Sequence, residues 1–205
     1  TYLHPDAQWG EVFDFYNEAG KIKALKTPLL GQHQTENAAV AIELFYLFCQ
    51  NMQLPFREKD VRDGLKKTFW PARMERISQQ PLVVLDGAHN EHAIKRLIDN
   101  LKKEFSDYRI HVLFSALETK DITSMLQQLL TVPRAEIYLT TFDYPNALRL
   151  EKNYQMLDEK RLTIVSLWQF GLADLLEKAD SDDLILVTGS LYFVSEVRKL
   201  LQELQ

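Results

Sequence analysis

Glycine is sparse in this chain, seven in 205 residues, and no two stand at the spacing of G-x-G-x-x-G or G-x-x-x-x-G-K-[ST]. Neither of those phosphate-cradling loops is therefore encoded here. Cysteine is rarer still: Cys49 stands alone in an apolar run. One cysteine forms no intramolecular disulfide and fits a reducing compartment, so a cytoplasmic protein with a small core thiol is expected. Apolar runs are short. None reaches the roughly 18 residues that a membrane span needs, so no membrane partner is expected. Basic charge is in deficit, with 24 Lys and Arg against 29 Asp and Glu, a net charge of −5 and a pI near 5.6. Nucleic acid needs a basic face, so it is not expected as a partner either. The first residues, Thr-Tyr-Leu-His-Pro-Asp, carry neither a charged n-region nor an apolar h-region, which argues against a signal peptide. They also lack an initiator methionine, as a piece of a longer chain would.

What the chain does have is a repeated strand-then-helix pattern. Leu82-Val-Val-Leu85 is an unbroken apolar run between Pro81 and Gly87. Such a run reads as a strand buried on both faces, the kind found in parallel sheets. Ala93, Ile94, Leu97, Ile98, Leu101 and Phe105 then give a helix over 91–105. The same alternation predicts strands at 109–114, 135–140, 163–166 and 184–188. Helices are predicted at 121–131, near 148–160, at 168–178 and at 191–204. Arg76 to Gln79 reads as an antiparallel edge strand. The fold class is thus α/β, with a mostly parallel, Rossmann-like sheet flanked by helices. Ahead of it come a β-hairpin on either side of Asn17–Gly20, a helix over 34–50 and an amphipathic helix from Glu58 to Phe69. The 34–50 helix is apolar nearly all round, so burial on several sides is expected. The Trp70-Pro71 break ends the second helix, because a residue before proline avoids the α region. The domain boundary is placed there, dividing residues 1–73 from 74–205.

Five short stretches could carry chemistry. In Asp86-Gly-Ala-His89-Asn90-Glu-His92 a carboxylate, an imidazole and an amide follow the buried strand, where open α/β sheets bind ligands. Asn90 could simply cap the next helix while Asp86 bonds loop amides. Alternatively, Asp86 accepts from a ribose hydroxyl and the helix start meets phosphate. A metal set of Asp86, His89 and His92 lacks a further ligand, so no metal site is expected in this chain. Gly189-Ser190 lies at another strand-to-helix turn, but the G-x-S-x-G elbow is absent. Ser190 is read as an N-cap that also faces the crevice. Lys120 precedes the capping residue Asp121 and is either solvated or set toward an anionic ligand. Arg73 follows Pro71 and is either a linker charge or a planar fork for phosphate or carboxylate. Around Gly31, Thr35 could cap a helix start, whereas His33, Gln34 and Asn37 could pair with a purine edge.

Together these motifs are far more specific than any one of them. In order they are Gly31-x-His33-Gln34-x-x-Asn37-Ala38-Ala39, Trp70-Pro-x-Arg73-x-Glu75, Leu85-Asp86-Gly-Ala-His89-Asn90, Lys120-Asp121 and Thr188-Gly-Ser190-Leu-Tyr192. This set resembles folylpolyglutamate synthase and its dihydrofolate synthase relatives, within the Mur ligase superfamily. The chain matches about the second half of such an enzyme: the end of the ATPase domain, a hinge, and the C-terminal Rossmann-like domain. The resemblance implies ATP and Mg²⁺ as cofactors, and (tetrahydro)folate and L-glutamate as substrates. It implies glutamate addition to the folate γ-carboxylate through an acyl phosphate, with the metal ligands and phosphate loop in the preceding half. It assigns Asn37 to the adenine, Arg73 to the phosphates and Asp86 to the ribose. His89 would act near the phosphates, and Lys120 and Ser190 near the glutamate. Two departures stand out: Ala72 and Ser115 occupy positions where relatives usually carry glycine. The chain alone is expected to be inactive. The rival expectation is a free-standing Rossmann-like interaction or regulatory module without catalysis.

Overall fold

The computed structural model describes residues 9–150, 154–158 and 160–204. The chain divides into two compact units, Asp6–Pro71 and one that contains Ala72–Gln205. No helix among the described residues is long and apolar enough to cross a membrane.

In the smaller unit, β1 (Glu11–Asn17) and β2 (Gly20–Thr27) form an antiparallel hairpin. Its register shifts between Phe13 and Phe15, opposite Ala24 at a φ of 50°. The bulge is held from both sides. Asp14 accepts the Ala24 amide at 2.8 Å, and Arg62 donates to the Lys23 and Ala24 carbonyls. A long helix, α1 (Gln32–Asn51), and a short one, α2 (Glu58–Lys66), complete the unit. Phe15, Ile22, Leu25, Ala38, Ile42, Val61 and Leu65 form its core.

Two expectations fail here. The second helix stops at Lys66, short of Phe69. The Lys67 and Thr68 amides bond three residues back, and the Thr68 hydroxyl takes the Gly64 carbonyl, which tightens the last turn and ends it. The first helix does not bury several sides. Val40, Leu44, Leu47 and Phe48 are about half exposed or more, because the hairpin and α2 give this unit apolar surface for one face only.

The larger unit is built on a six-stranded sheet of order β3-β4-β8-β5-β6-β7. Its strands are β3 (Glu75–Gln79), β4 (Leu82–Leu85), β5 (Arg109–Phe114), β6 (Ala135–Thr140), β7 (Leu162–Val165) and β8 (Asp183–Thr188). Only β3 runs antiparallel, at the edge beside β4. Every residue of β4 and β8 is buried, as expected for strands covered on both faces. The helices are α3 (Glu91–Glu104), α4 (Ile122–Leu129), α5 (Trp168–Lys178) and α6 (Leu191–Glu203). The helical stretch expected near 148–160 is a single 3-10 turn, Tyr154–Leu157; 151–153 and 159 lie outside the described residues.

The strand order decides where a ligand can sit. The chain runs from β4 through β5 and β6 to β7 at the far edge, and then returns to insert β8 between β4 and β5. α3 packs against α4. α5 and α6 instead bury Leu172, Leu175, Phe193 and Val197 on the sheet face that carries Val83, Leu85, Leu113 and Ile185. Neighbouring strands β4 and β8 are therefore followed by helices on opposite faces. Their carboxyl ends diverge into the crevice where open α/β sheets bind ligands.

The other end of the sheet holds a charged cluster. Asp183 is buried and pairs with Arg109 at 2.8 Å, and His111 lies between Asp183 at 3.4 Å and Glu136 at 3.5 Å. Burial pushes the Asp183 carboxyl up, but the Asp180 amide, His111 and Arg109 together hold it below its ordinary value of 3.8. A carboxyl depressed in the folded state stabilises above its unfolded pKa and loses that contribution as pH falls through the folded value. Thermal melts of the chain should therefore show stability falling below about pH 4. Asp183→Asn should melt lower at neutral pH and fall less on acidification. An identical pH profile in the variant would remove Asp183 from this role.

Candidate active site

Three loops meet at the carboxyl ends of β4, β8 and β5. After β4, the Asp86 amide bonds the Val187 carbonyl of β8 at 3.0 Å, continuing the ladder one residue past the strand. After β8, the Gly189 amide donates to the Ala88 carbonyl at 3.0 Å. After β5, the Ser115 amide donates to the Thr188 carbonyl at 3.2 Å. Gly189 sits at a φ of 110°, and an added Cβ would stand 2.5 Å from the Ser115 carbonyl oxygen. Only glycine allows the three loops to approach this closely.

Asp86 is the centre of this edge. One carboxylate oxygen accepts the Met74 amide and the other accepts the Ala88 amide, both at 2.9 Å. Burial pushes this carboxyl above its ordinary value, against the pull of those two amides, Arg73 and His89. Of the two sequence readings, the loop-amide role is the one the hydrogen bonds show. Each oxygen keeps a second lone pair. His89 is partly buried, with Nδ1 2.8 Å from the Gly87 carbonyl. When Nδ1 is the donor, Nε2 is left as the group that can face a ligand. Asn90 caps α3 by accepting the Ala93 amide at 2.9 Å, and Asp121 caps α4 through Ser124, also at 2.9 Å.

The strap before β3 is pinned to the same edge. The Ala72 carbonyl accepts the Gly87 amide at 2.8 Å. Ala72 and Met74 both take positive φ, 55° and 45°, although each carries a Cβ. Left-handed backbone costs such residues about 1–2 kcal/mol apiece, and strain of this kind collects at functional sites. Arg73 stands between them, partly buried and near enough to Asp86 to oppose, without cancelling, the upward push of burial on its carboxyl.

Ser190 occupies the N-cap position of α6, buried, but its hydroxyl makes no capping bond. The first intrahelical bond is Val194 to Ser190, so the Leu191, Tyr192 and Phe193 amides precede the ladder at the positive end of a 13-residue helix. The buried Ser115 hydroxyl has no hydrogen-bond partner among the described residues. Lys120 is exposed on the loop that follows Ser115. Beside Ser190, Tyr192 stacks on Tyr144 with ring centroids 4.2 Å apart.

Asn37 belongs to the smaller unit. It is exposed on the first turns of α1, where its amide donates to Gln34 at 3.2 Å. Gln34 in turn is buried and contacts His33 at 3.0 Å. Thr35 does not cap this helix. The helix starts earlier, right after Gly31 at a φ of 112°, so Thr35 lies inside the first turn and its hydroxyl donates to the Gln32 carbonyl at 2.7 Å.

The donors on this edge fit an anionic ligand. They comprise the Arg73 guanidinium, the His89 imidazole, the first-turn amides of α6 and the hydroxyls of Ser115 and Ser190. Among the described residues, no group of three or more His, Cys, Asp or Glu stands where it could hold a metal ion.

Residues 72–191, most of the larger unit, match the family model "Mur ligase, glutamate ligase domain". The chain belongs to the Mur ligases. Its relatives within that family include folate enzymes. It is 35% identical to the dihydrofolate synthase/folylpolyglutamate synthase of Bacillus subtilis, over 94% of this chain and 45% of that one. It is 39% identical to the folylpolyglutamate synthase of Lacticaseibacillus casei, over 94% of this chain and 44% of the other. The solved apo form of the L. casei enzyme superposes with a TM-score of 0.78 at 34% identity, covering 96% of this chain and 43% of that one. This Mur ligase chain therefore spans a little under half the length of these two relatives. The sequence pattern of the Mur ligase motifs held no sign of Arg198, which lies on α6, 123 residues from the Glu75 that it grips.

Proposed function

We propose that the chain is the C-terminal part of an ATP-dependent ligase that adds L-glutamate to the γ-carboxylate of a folate. The observation that carries this reading is the β4–β8 switch point, where Arg73, His89 and the start of α6 gather on one edge. In the proposed reaction the terminal phosphoryl group of ATP passes to the folate γ-carboxylate, giving an acyl phosphate and ADP. The glutamate amine attacks the acyl carbon, the amide forms and phosphate leaves. Negative charge lies on the transferring phosphoryl oxygens in the first step and develops on the acyl oxygen in the second, and oriented donors in a site closed to water stabilise it.

Arg73 would hold the phosphates with its planar fork. Asp86 would accept from the ribose through its remaining lone pairs, and His89 would offer Nε2 near the transferred group. Lys120 and Ser190 would hold the incoming glutamate, whose carboxylates suit a lysine and a helix N-terminus. Asn37 would meet the adenine. Mg²⁺ and its ligands are assigned to the preceding ATPase lobe. A folylpolyglutamate synthase solved with AMPPCP and folate is similar to this chain at 33% identity and a TM-score of 0.75, which supports both ligands. The ATPase lobe is also the proposed partner of α1, whose Val40, Leu44, Leu47 and Phe48 stripe is exposed here. The buried, free Cys49 suits a reducing cytoplasm.

If the machinery is divided in this way, the purified 205-residue chain will hydrolyse no ATP and join no glutamate. The full-length parent will do both when supplied with folate. Assays with dihydropteroate and with tetrahydrofolate will show whether the parent also makes dihydrofolate. ATP turnover by the isolated chain would overturn the division.

A further inference from the structure

The strained strap at Ala72–Glu75 is held by two carboxylates, and one of them has a long-range partner. The Ala72 amide donates to Glu75 Oε2 at 2.8 Å, and the Met74 amide donates to Asp86 Oδ2 at 2.9 Å. Each left-handed residue thus has its amide fixed by a carboxylate, with Arg73 between them. The Glu75 carboxylate is gripped in turn by Arg198 of α6. Arg198 Nε lies 2.9 and 3.0 Å from the two oxygens, and Nη2 lies 2.9 Å from Oε1. The Glu75 side chain is 8% exposed and that of Arg198 22%. A desolvated pair of this kind is weak evidence for stability, since apolar side chains of similar volume serve as well or better. A bidentate fork does, however, fix direction. The backbone that it fixes is the strained segment that presents Arg73.

We infer that Glu75 and Arg198 are positioning residues for Arg73: the pair locks the 72–75 strap in its left-handed form and acts on the reaction through Arg73 alone. The inference rests on the proposed contact of Arg73 with the ATP phosphates. It extends that site to a residue on α6 that touches no substrate.

A double-mutant cycle in the full-length enzyme tests the inference. Glu75→Gln keeps an acceptor for the Ala72 amide and loses the fork. It should lower kcat/KM for ATP about tenfold, with the KM values for folate and glutamate changed less than about twofold. Arg198→Lys keeps the charge without the fork and should cost less, which supplies a second arm should Glu75→Gln fail to fold. Against an Arg73→Ala background, both changes should cost less than about twofold, because the group they position is gone. If Glu75→Gln or Arg198→Lys costs the same factor in both backgrounds, or leaves wild-type kinetics in both, the positioning role is wrong and the Arg73 contact stands. Wild-type kinetics in Arg73→Ala itself would overturn the contact, and this inference with it.

Discussion

Gly189→Ala should destabilise the larger unit by about 2–5 kcal/mol, from two separable costs. The first is backbone conformation. Gly189 has a φ of 110°, where a Cβ costs about 1–2 kcal/mol or more. The second is space. The new Cβ would stand 2.5 Å from the Ser115 carbonyl oxygen and 2.7 and 2.9 Å from two Phe114 ring atoms, and Phe114 is fully buried. Neither neighbour is the free end of a flexible side chain, so the loops must part. Overpacking of a tight core costs about 1–3 kcal/mol. Relief would come by breaking the Gly189–Ala88 and Ser115–Thr188 backbone bonds that join the three loops. At roughly 2–4 °C per kcal/mol for a unit of this size, the midpoint should drop by about 4–20 °C. A midpoint within a degree or two of wild type would show that the loops are not packed as described.

Asp86→Ala should cost about 2–6 kcal/mol, because the carboxylate satisfies two buried amides and each orphaned amide costs about 1–3 kcal/mol. The loss has a direction. Asp86 joins the Met74 amide of the strap to the Ala88 amide of the loop, so without it the strap with Arg73 is tied to the loop with His89 only by the Gly87–Ala72 backbone bond. Asp86→Asn should be nearly as harmful. Its amide nitrogen must face one of the two N–H donors and so replaces attraction with repulsion. Urea unfolding of both variants checks this, and a loss below about 1 kcal/mol in Asp86→Asn would mean that one of the two amides bonds elsewhere.

The sequence showed clearly what local pattern controls. The continuous apolar runs of β4 and β8, the antiparallel edge at β3, and the caps at Asn90 and Asp121 all follow from spacing and side-chain chemistry within a few residues. It could not show what depends on distant partners. Nothing local announces that β8 inserts between β4 and β5, yet that insertion creates the crevice. The Glu75–Arg198 pair spans 123 residues and has no periodicity to reveal it. Asp86 was recognisable as a strand-end carboxylate, whereas the donation from Met74 required the strap to fold back. The exposed stripe on α1 misled in the other direction. Its apolar side chains called for cover on several sides, and the unit of residues 6–71 provides cover for one.

The central claim is that this sheet edge serves glutamate transfer to an ATP-activated folate. Its most direct test is incorporation of labelled glutamate into tetrahydrofolate by the full-length parent, with ADP followed alongside. The account predicts one ADP for each glutamate joined. Glutamate that fails to join any folate or pterin acceptor, in an enzyme that melts cooperatively, would contradict it.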